Sequence, residues 1–266
     1  MKHTQALKNI ILFDLDGTIL QPDTQLLFCH WVLKQQPWRI ILVFIYLLLL
    51  PLGLIIKTAG LKRLFLVYLA GIKQGQLEEL VQSFCDHYIP RICYPTVLRR
   101  IQEHKLQGKT LILSSASPQW WVTIIGEKLG FDASFGTQVE LKQGSLFPEI
   151  PQGNHKSERK IEVLNAYFAQ QSLIKAGEPW QVAHAYSDSS ADLPMLESAA
   201  QATLIHPSAK LQAYNQTHDK SWEQLFPKPH IKGVNLIIHN LLCLIGAGEG
   251  WYNDWKALLL DKIVPK

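Results

Sequence analysis

Residues 10–18 read IILFDLDGT: four apolar residues, Ile10 to Phe13, then Asp14 and Asp16 separated by one residue, then a Gly17-Thr18 turn. Four consecutive apolar side chains bounded by a turn signal describe a short strand buried on both faces, as at the centre of a parallel sheet. Alternate residues just beyond such a strand point to the same side, so the two carboxylates share one edge, and Gly17 lets the backbone turn away sharply. Two neighbouring carboxylates repel each other, which is costly unless a cation or a proton resolves the conflict.

The pattern recurs twice downstream. Thr110 to Leu113 is a second apolar run that ends in Ser114, Ser115 and Ser117 before Pro118, and Gln181 to Tyr186 leads into Ser187-Asp188. In open α/β sheets ligands bind just outside the carboxyl ends of the strands, where these polar residues fall. Helical patterns cover residues 119–129 and 158–171, the second with Ile161, Val163, Leu164, Tyr167 and Phe168. Gly108 and Gly130 serve as helix ends. Pro194 to Ala202 reads as a short helix and Thr203 to Ile205 as a further strand. The alternation predicts an α/β fold, a three-layer Rossmann-like core around a parallel sheet.

Composition narrows the classes of function. The 266 residues suffice for one large core, or a core with a smaller insert. A formal charge of only +4, with no basic run interleaved with aromatics, argues against nucleic acid. An apolar fraction of 47% with 18% charged residues leans away from disorder and toward contact with lipid. Cys29, Cys85, Cys93 and Cys243 are scattered without a CxxC pair, against zinc and against a disulfide framework. The amino-terminal residues lack a small-residue cleavage site and do not read as a signal peptide; with unpaired thiols this gives a cytoplasm-facing expectation.

Between the first two strands lies an unusual insertion. Ile40 to Ile56 is a run of 17 residues without a charge, bracketed by Arg39 and Lys57, and Leu64 to Ile72 is apolar again after Lys62 and Arg63. As one helix the first run measures about 26 Å, at the lower limit for spanning a bilayer, and Pro51 breaks it. Asp14 and Asp16 precede the insert while Ser115, Asp188 and Asp192 follow it, so a single crossing would split the site between compartments. A re-entrant hairpin or a pair of interfacial helices is expected, the alternative being a buried helix pair. The basic residues then either flank the apolar helix in water or meet anionic headgroups. Amphipathic stretches follow at Gln76 to Tyr88 and Pro95 to His104. Val234 to Ile245, followed by Trp251, Tyr252 and Trp255, is either a second interfacial anchor or a helix packed on the sheet. The expected division is a core of residues 1–22 and 93–214, a helical cap of 23–92 and a carboxyl-terminal extension of 215–266.

Chemistry gathers at the strand ends. Asp188 and Asp192, in YSDSSADLPML, add a second acidic pair; Lys156, in GNHKSERK, adds a cation at the start of a helical pattern; Ser115 adds a hydroxyl. Carboxylates suit a hard divalent ion, and an ammonium with a hydroxyl suits phosphoryl oxygens, so the set points to a Mg²⁺ and phosphate site. His155 is either a bystander or a substrate contact, while Pro118, Trp120 and Trp121 read as turn and packing residues.

These residues resemble the four motifs of the haloacid dehalogenase superfamily of phosphohydrolases, in the branch that includes phosphoserine phosphatase. DLDGT at 14–18, LILSSASP at 111–118 with Ser115, Lys156, and SDSSAD at 187–192 correspond to motifs one to four. The insert after the first motif resembles the helical cap of that branch. Gln36-Pro37, GNHK, and YSDS followed by DLPML resemble the phosphatidylglycerophosphatase C group. Ser187 and Ala116 stand where many relatives have glycine. The resemblance implies Asp14 as nucleophile and Asp16 as acid and base, with Ser115 and Lys156 on phosphoryl oxygens and Mg²⁺ held by Asp14, Asp16, Asp188 and Asp192. The aspartate at position 16, where ATPase-like relatives commonly have threonine, implies hydrolysis. The narrower likeness implies a phospholipid phosphate, phosphatidylglycerophosphate, as substrate, the alternative being a small soluble phosphoester such as phosphoserine; it also implies an anionic membrane surface as partner and a place at the cytoplasmic face of the bacterial inner membrane.

Overall fold

The computed structural model describes residues 7–21, 23–51, 58–175, 177–231 and 233–248. Six strands form one sheet: β1 (Ile10–Phe13), β2 (Thr110–Pro118), β3 (Ala133–Thr137), β4 (Val182–Ser187), β5 (Ala199–Ile205) and β6 (Glu223–Leu225), in the spatial order β3-β2-β1-β4-β5-β6. Every pairing is parallel. β1 is central and all four of its side chains are buried, as its uninterrupted apolar run requires. Phe13 pairs with Leu113 on one side and with Tyr186 on the other, so β1 and β4 end nearly level while β2 runs on beside them to Pro118. The residues that follow each strand therefore emerge along one edge. Beneath that edge Leu12, Ile112, Leu164, Phe168, Ala185 and Leu204 belong to the buried core.

The expected elements hold at the centre of the sheet and shift at its margins. β2 continues past Leu113 to Pro118, with a register irregularity between Ser114 and Pro118. β5 begins at Ala199, so Ala199 to Ala202 extend a strand where a helix was expected, and the helix preceding them is only Leu193–Glu197. Val182 pairs with Ala199 and Ala185 with Ala202, and this sheet pairing overrides the helical preference of alanine. The helix Gln119–Leu129 ends at Gly130 in the left-handed conformation.

The chain divides into two compact units. One comprises residues 1–21, 81–140 and 150–230; the other comprises residues 22–80 and 141–149 with the chain from Ile231 onward. Residues 81–92, expected in the cap, thus belong with the sheet. The expected extension of 215–266 is shared between the units, β6 completing the sheet in the first.

In the second unit, α1 (Thr24–Gln35) starts at Asp23, whose carboxylate accepts the backbone N–H groups of Gln25 and Leu26. A short 3₁₀ turn, Pro37–Arg39, leads into α2 (Ile40–Leu49). The 17-residue apolar run is therefore not one described helix: α2 has 10 residues and stops short of Pro51, while residues 52–57 lie outside the described set. Among the described residues no helix is long and apolar enough to cross a membrane. The second apolar segment turns inward, with Leu66, Val67, Tyr68 and Leu69 fully buried in a 3₁₀ turn. Arg39 is neither a solvated flank nor a headgroup contact. It is buried, donating to the carbonyls of Tyr68 and Ala70 and to the Gln36 side chain.

Candidate active site

The carboxyl ends of β1, β2 and β4 carry the site, all within the first unit. Asp14 follows β1 directly and its N–H donates to the Tyr186 carbonyl at 3.0 Å. Gly17 adopts φ +81°, letting the chain reverse and pair Asp16 with Leu20; the Gly17 N–H donates to the Leu20 carbonyl at 2.9 Å. A Cβ at Gly17 would strike the Asp188 carboxylate, so the β4 loop lies against the first loop where a side chain would not fit. Thr18 ties the two together: its hydroxyl is 3.5 Å from Asp14 Oδ2 and 3.4 Å from Asp188 Oδ1.

The cation at this centre is Lys160. Its Nζ lies 2.8 Å from Asp14 Oδ1 and 2.9 Å from Asp192 Oδ1, with lysine and both acids buried. Lys156, the expected cation, is exposed and precedes the helix Glu158–Gln170, its N–H donating to the Asn154 carbonyl. The correction has a simple cause. Lys160, Leu164 and Phe168 are the buried residues of that helix, spaced four apart, so they share its inward stripe and carry the ammonium to the sheet edge. A lysine in step with buried leucine and phenylalanine was the signal available in the sequence.

Ser115 and Asp16 reach the same edge. The Ser115 hydroxyl oxygen accepts the Ser117 N–H at 3.1 Å, which leaves its proton for donation, and the Ser117 hydroxyl donates to Asp16 Oδ2 at 2.6 Å. Ser187 donates to Asp192 Oδ2 at 2.7 Å, so the serine in place of glycine in the fourth motif anchors the aspartate that receives Lys160. Both oxygens of Asp192 are thereby engaged. His155 is buried, its Nε2 2.9 Å from Ser114 Oγ and its N–H donating to Thr137 Oγ1; it braces the end of β2 rather than facing solvent. Trp121 packs in the interior against Phe84, as a packing residue should.

The electrostatics express one conflict. Burial pushes the Asp14 carboxyl well above its usual range; Lys160 opposes this, while Asp192 and Asp188 add to it. Asp188 is raised to about 7, first by burial and then by the charge of Asp192. Burial works against the charge of Lys160, but Asp14 and Asp192 outweigh it and its pKa rises. The centre is thus short of positive charge beside Asp188.

That shortage fits a hard divalent cation. Asp14 and Asp188, linked through the Thr18 hydroxyl, would hold such an ion, with Asp16 bonded to Ser117 and Asp192 bonded to Lys160 and Ser187 beside them. Mg²⁺ suits such a site because it keeps several waters and takes one or two carboxylates, completing its shell with substrate oxygens.

A family model described as haloacid dehalogenase-like hydrolase matches residues 11–197, more than half of the chain. The chain belongs to the haloacid dehalogenase-like hydrolases. Within that family it is 24% identical over 230 residues to a histidinol-phosphatase of Neisseria meningitidis, covering 82% of this chain and 99% of the relative. It is 26% identical over 246 residues to a phosphoserine phosphatase of Mycobacterium tuberculosis, covering 89% and 76%. Among solved structures, a Bordetella pertussis protein of unknown function superposes with a TM-score of 0.66 at 20% identity, covering 82% of this chain and 97% of the other. A substrate-bound phosphoserine phosphatase superposes with a TM-score of 0.55 at 18% identity, covering 84% and 94%. These likenesses agree on a haloacid dehalogenase-like fold with a parallel sheet. The residues that sequence reasoning missed in this hydrolase are Lys160, Thr18 and Ser117.

Proposed function

We propose that this hydrolase is a phosphatase that cleaves the phosphate monoester of a small primary alcohol bearing an amino group, of the phosphoserine or histidinol phosphate kind. The observation that carries the reading is the buried contact of Asp14 with Lys160 at the end of β1, beside an Asp16 held by Ser117. The two relatives named above, whose names refer to phosphoesters of this class, support the choice of substrate.

In the reaction Asp14 attacks phosphorus. The new bond from its carboxylate oxygen forms as the ester P–O bond breaks, and the electron pair leaves on the alcohol oxygen. Asp16 gives that oxygen its proton, then takes one from the water that attacks the aspartyl phosphate, releasing inorganic phosphate and restoring Asp14. Lys160 holds Asp14 in line and offsets charge on the phosphoryl group, and Ser115 donates to a nonbridging oxygen. Mg²⁺, when held by Asp14, Asp188 and the Asp16 backbone carbonyl, supplies the charge that lets an anionic nucleophile approach an anionic ester.

A second reading, phosphatidylglycerophosphate as substrate, draws on one observation: Ile41, Phe44 and Leu48 of α2 stand exposed. A panel of phosphoserine, histidinol phosphate and phosphatidylglycerophosphate in mixed micelles, with and without Mg²⁺, separates the two. Greater kcat/KM on a small amino-alcohol phosphate is expected; faster turnover of the lipid overturns the first reading in favour of the second.

A further inference from the structure

Two helices of the second unit turn an apolar face outward. In α2 the outward residues Ile41, Phe44 and Leu48 are 63%, 59% and 79% exposed, three and four apart on one face, with Trp38 exposed just before them. In α3 (Val234–Leu244) the outward residues Val234, Ile237 and Leu241 are 69%, 61% and 59% exposed. The buried residues of α3 are His239 and Cys243, whose side chains lie 3.4 Å apart, on a helix that packs against α1. A helix facing water shows its polar side outward and hides its apolar side; α3 does the reverse, and α2 is apolar all round, burying Val43 and leaving the rest of its apolar surface partly or fully exposed.

The charge pattern says what covers them. Residues 24–73 contain Lys34, Arg39, Lys57, Lys62, Arg63 and Lys73 and no aspartate or glutamate, in a chain that has 22 acids elsewhere. Of these, Lys34, Arg63 and Lys73 are exposed. A second copy would set this basic segment against itself, whereas a sheet of lipid phosphates suits both the apolar faces and the basic residues of the segment that carries α2. At 10 and 11 residues the helices measure about 15–17 Å, half the depth of a hydrocarbon core, so they suit lying in the interface and not crossing it. An exposed tryptophan beside them suits headgroup depth.

We propose that the second unit seats on an anionic phospholipid bilayer through the outward faces of α2 and α3. The test is flotation of the full chain with vesicles of phosphatidylcholine alone and of phosphatidylcholine mixed with phosphatidylglycerol. Binding to the mixed vesicles is expected, falling with salt and weaker on the neutral ones. Ile41→Ser with Phe44→Ser and Leu48→Ser, and separately Ile237→Ser with Leu241→Ser, each lower it at least about tenfold. Their unfolding midpoints stay near that of the unsubstituted chain, because these side chains have little packing to lose. Absence of flotation, flotation untouched by both variants, or a dimer that both variants dissolve overturns the proposal, the last by assigning the faces to a second copy. Flotation needs no turnover, so its result is independent of the phosphatase reading.

Discussion

Replacing Lys160 by methionine keeps the unbranched stem of the side chain and removes its terminal ammonium, which strands Asp14 and Asp192 as buried carboxylates without the charge at 2.8 and 2.9 Å. Breaking a buried ion pair by deleting one partner costs about 3–5 kcal/mol. At about 2–4 °C per kcal/mol for a domain of this size, Tm falls by roughly 6–20 °C. Loss of one preorganised charge donor at the reacting group lowers kcat by about 10²–10³. Lys156→Met, on an exposed residue, leaves stability within about 0.5 kcal/mol and kcat within a few fold. Adding Asp14→Asn to Lys160→Met returns part of the lost stability, because it removes one stranded charge, with a coupling of about 1 kcal/mol or more. Urea unfolding gives the stabilities and phosphate release at saturating substrate gives the rates. A Lys160→Met protein with kcat within tenfold of the parent, or a Lys156→Met protein that loses a hundredfold, would refute the assignment of the cation.

Gly17→Ala drives a methyl group into the Asp188 carboxylate from a backbone at φ +81° and costs about 1–3 kcal/mol; the Mg²⁺ concentration for half-maximal rate rises, and an unchanged value contradicts the site. Ser187→Gly removes the bond to Asp192 at 2.7 Å, lowering stability by about 1 kcal/mol with a several-fold loss of kcat, read by unfolding and turnover. His155→Ala leaves the buried Ser114 hydroxyl without its ring partner, costing about 1–3 kcal/mol while KM stays within a few fold; a large KM change would make His155 a substrate contact. Asp188 binds its proton up to about pH 7 in the native state, against 3.8 ordinarily. Its contribution to stability is therefore full below the unfolded carboxylate range and is lost as pH rises through 7. Without metal, that contribution to Tm declines from acid to mild alkali, and Mg²⁺ raises Tm more above pH 7 than below it. A pH-independent gain, measured by thermal scanning, argues against Asp188 as ligand.

The centre of this fold is legible because its strands are buried on both faces, so Ile10 to Phe13 and Thr110 to Leu113 announce themselves without a partner. The edge strands do not. ASFGT at 133–137 and EQL at 223–225 are short and mixed, and become strands only because β2 and β5 offer pairing. The aspartates were readable for a related reason, since each follows a strand end. The lysine is legible only through helical periodicity, because its position depends on the facing of a helix rather than on distance along the chain. Lys160 stands one turn beyond Lys156 and shares the stripe of Leu164 and Phe168. The leucine-rich insert reads as two similar apolar segments, yet one is outward-facing in α2 and the other is interior at Leu66 to Leu69; composition alone does not distinguish them.

The turn after Asp16 is stitched to the chain that returns to the sheet. Leu20 bridges Cys93, the Gln21 N–H donates to the Ile92 carbonyl, and the Tyr94 N–H donates to the Ile19 carbonyl. Seventy residues leave and re-enter through this short antiparallel neck, which closes the loop before it begins. Because loop length adds little once its ends are clasped, the part of the loop that belongs to the second unit, residues 22–80, can change in length without moving the nucleophile. The neck thereby separates the chemistry at the strand ends from whatever the inserted segment is shaped to meet.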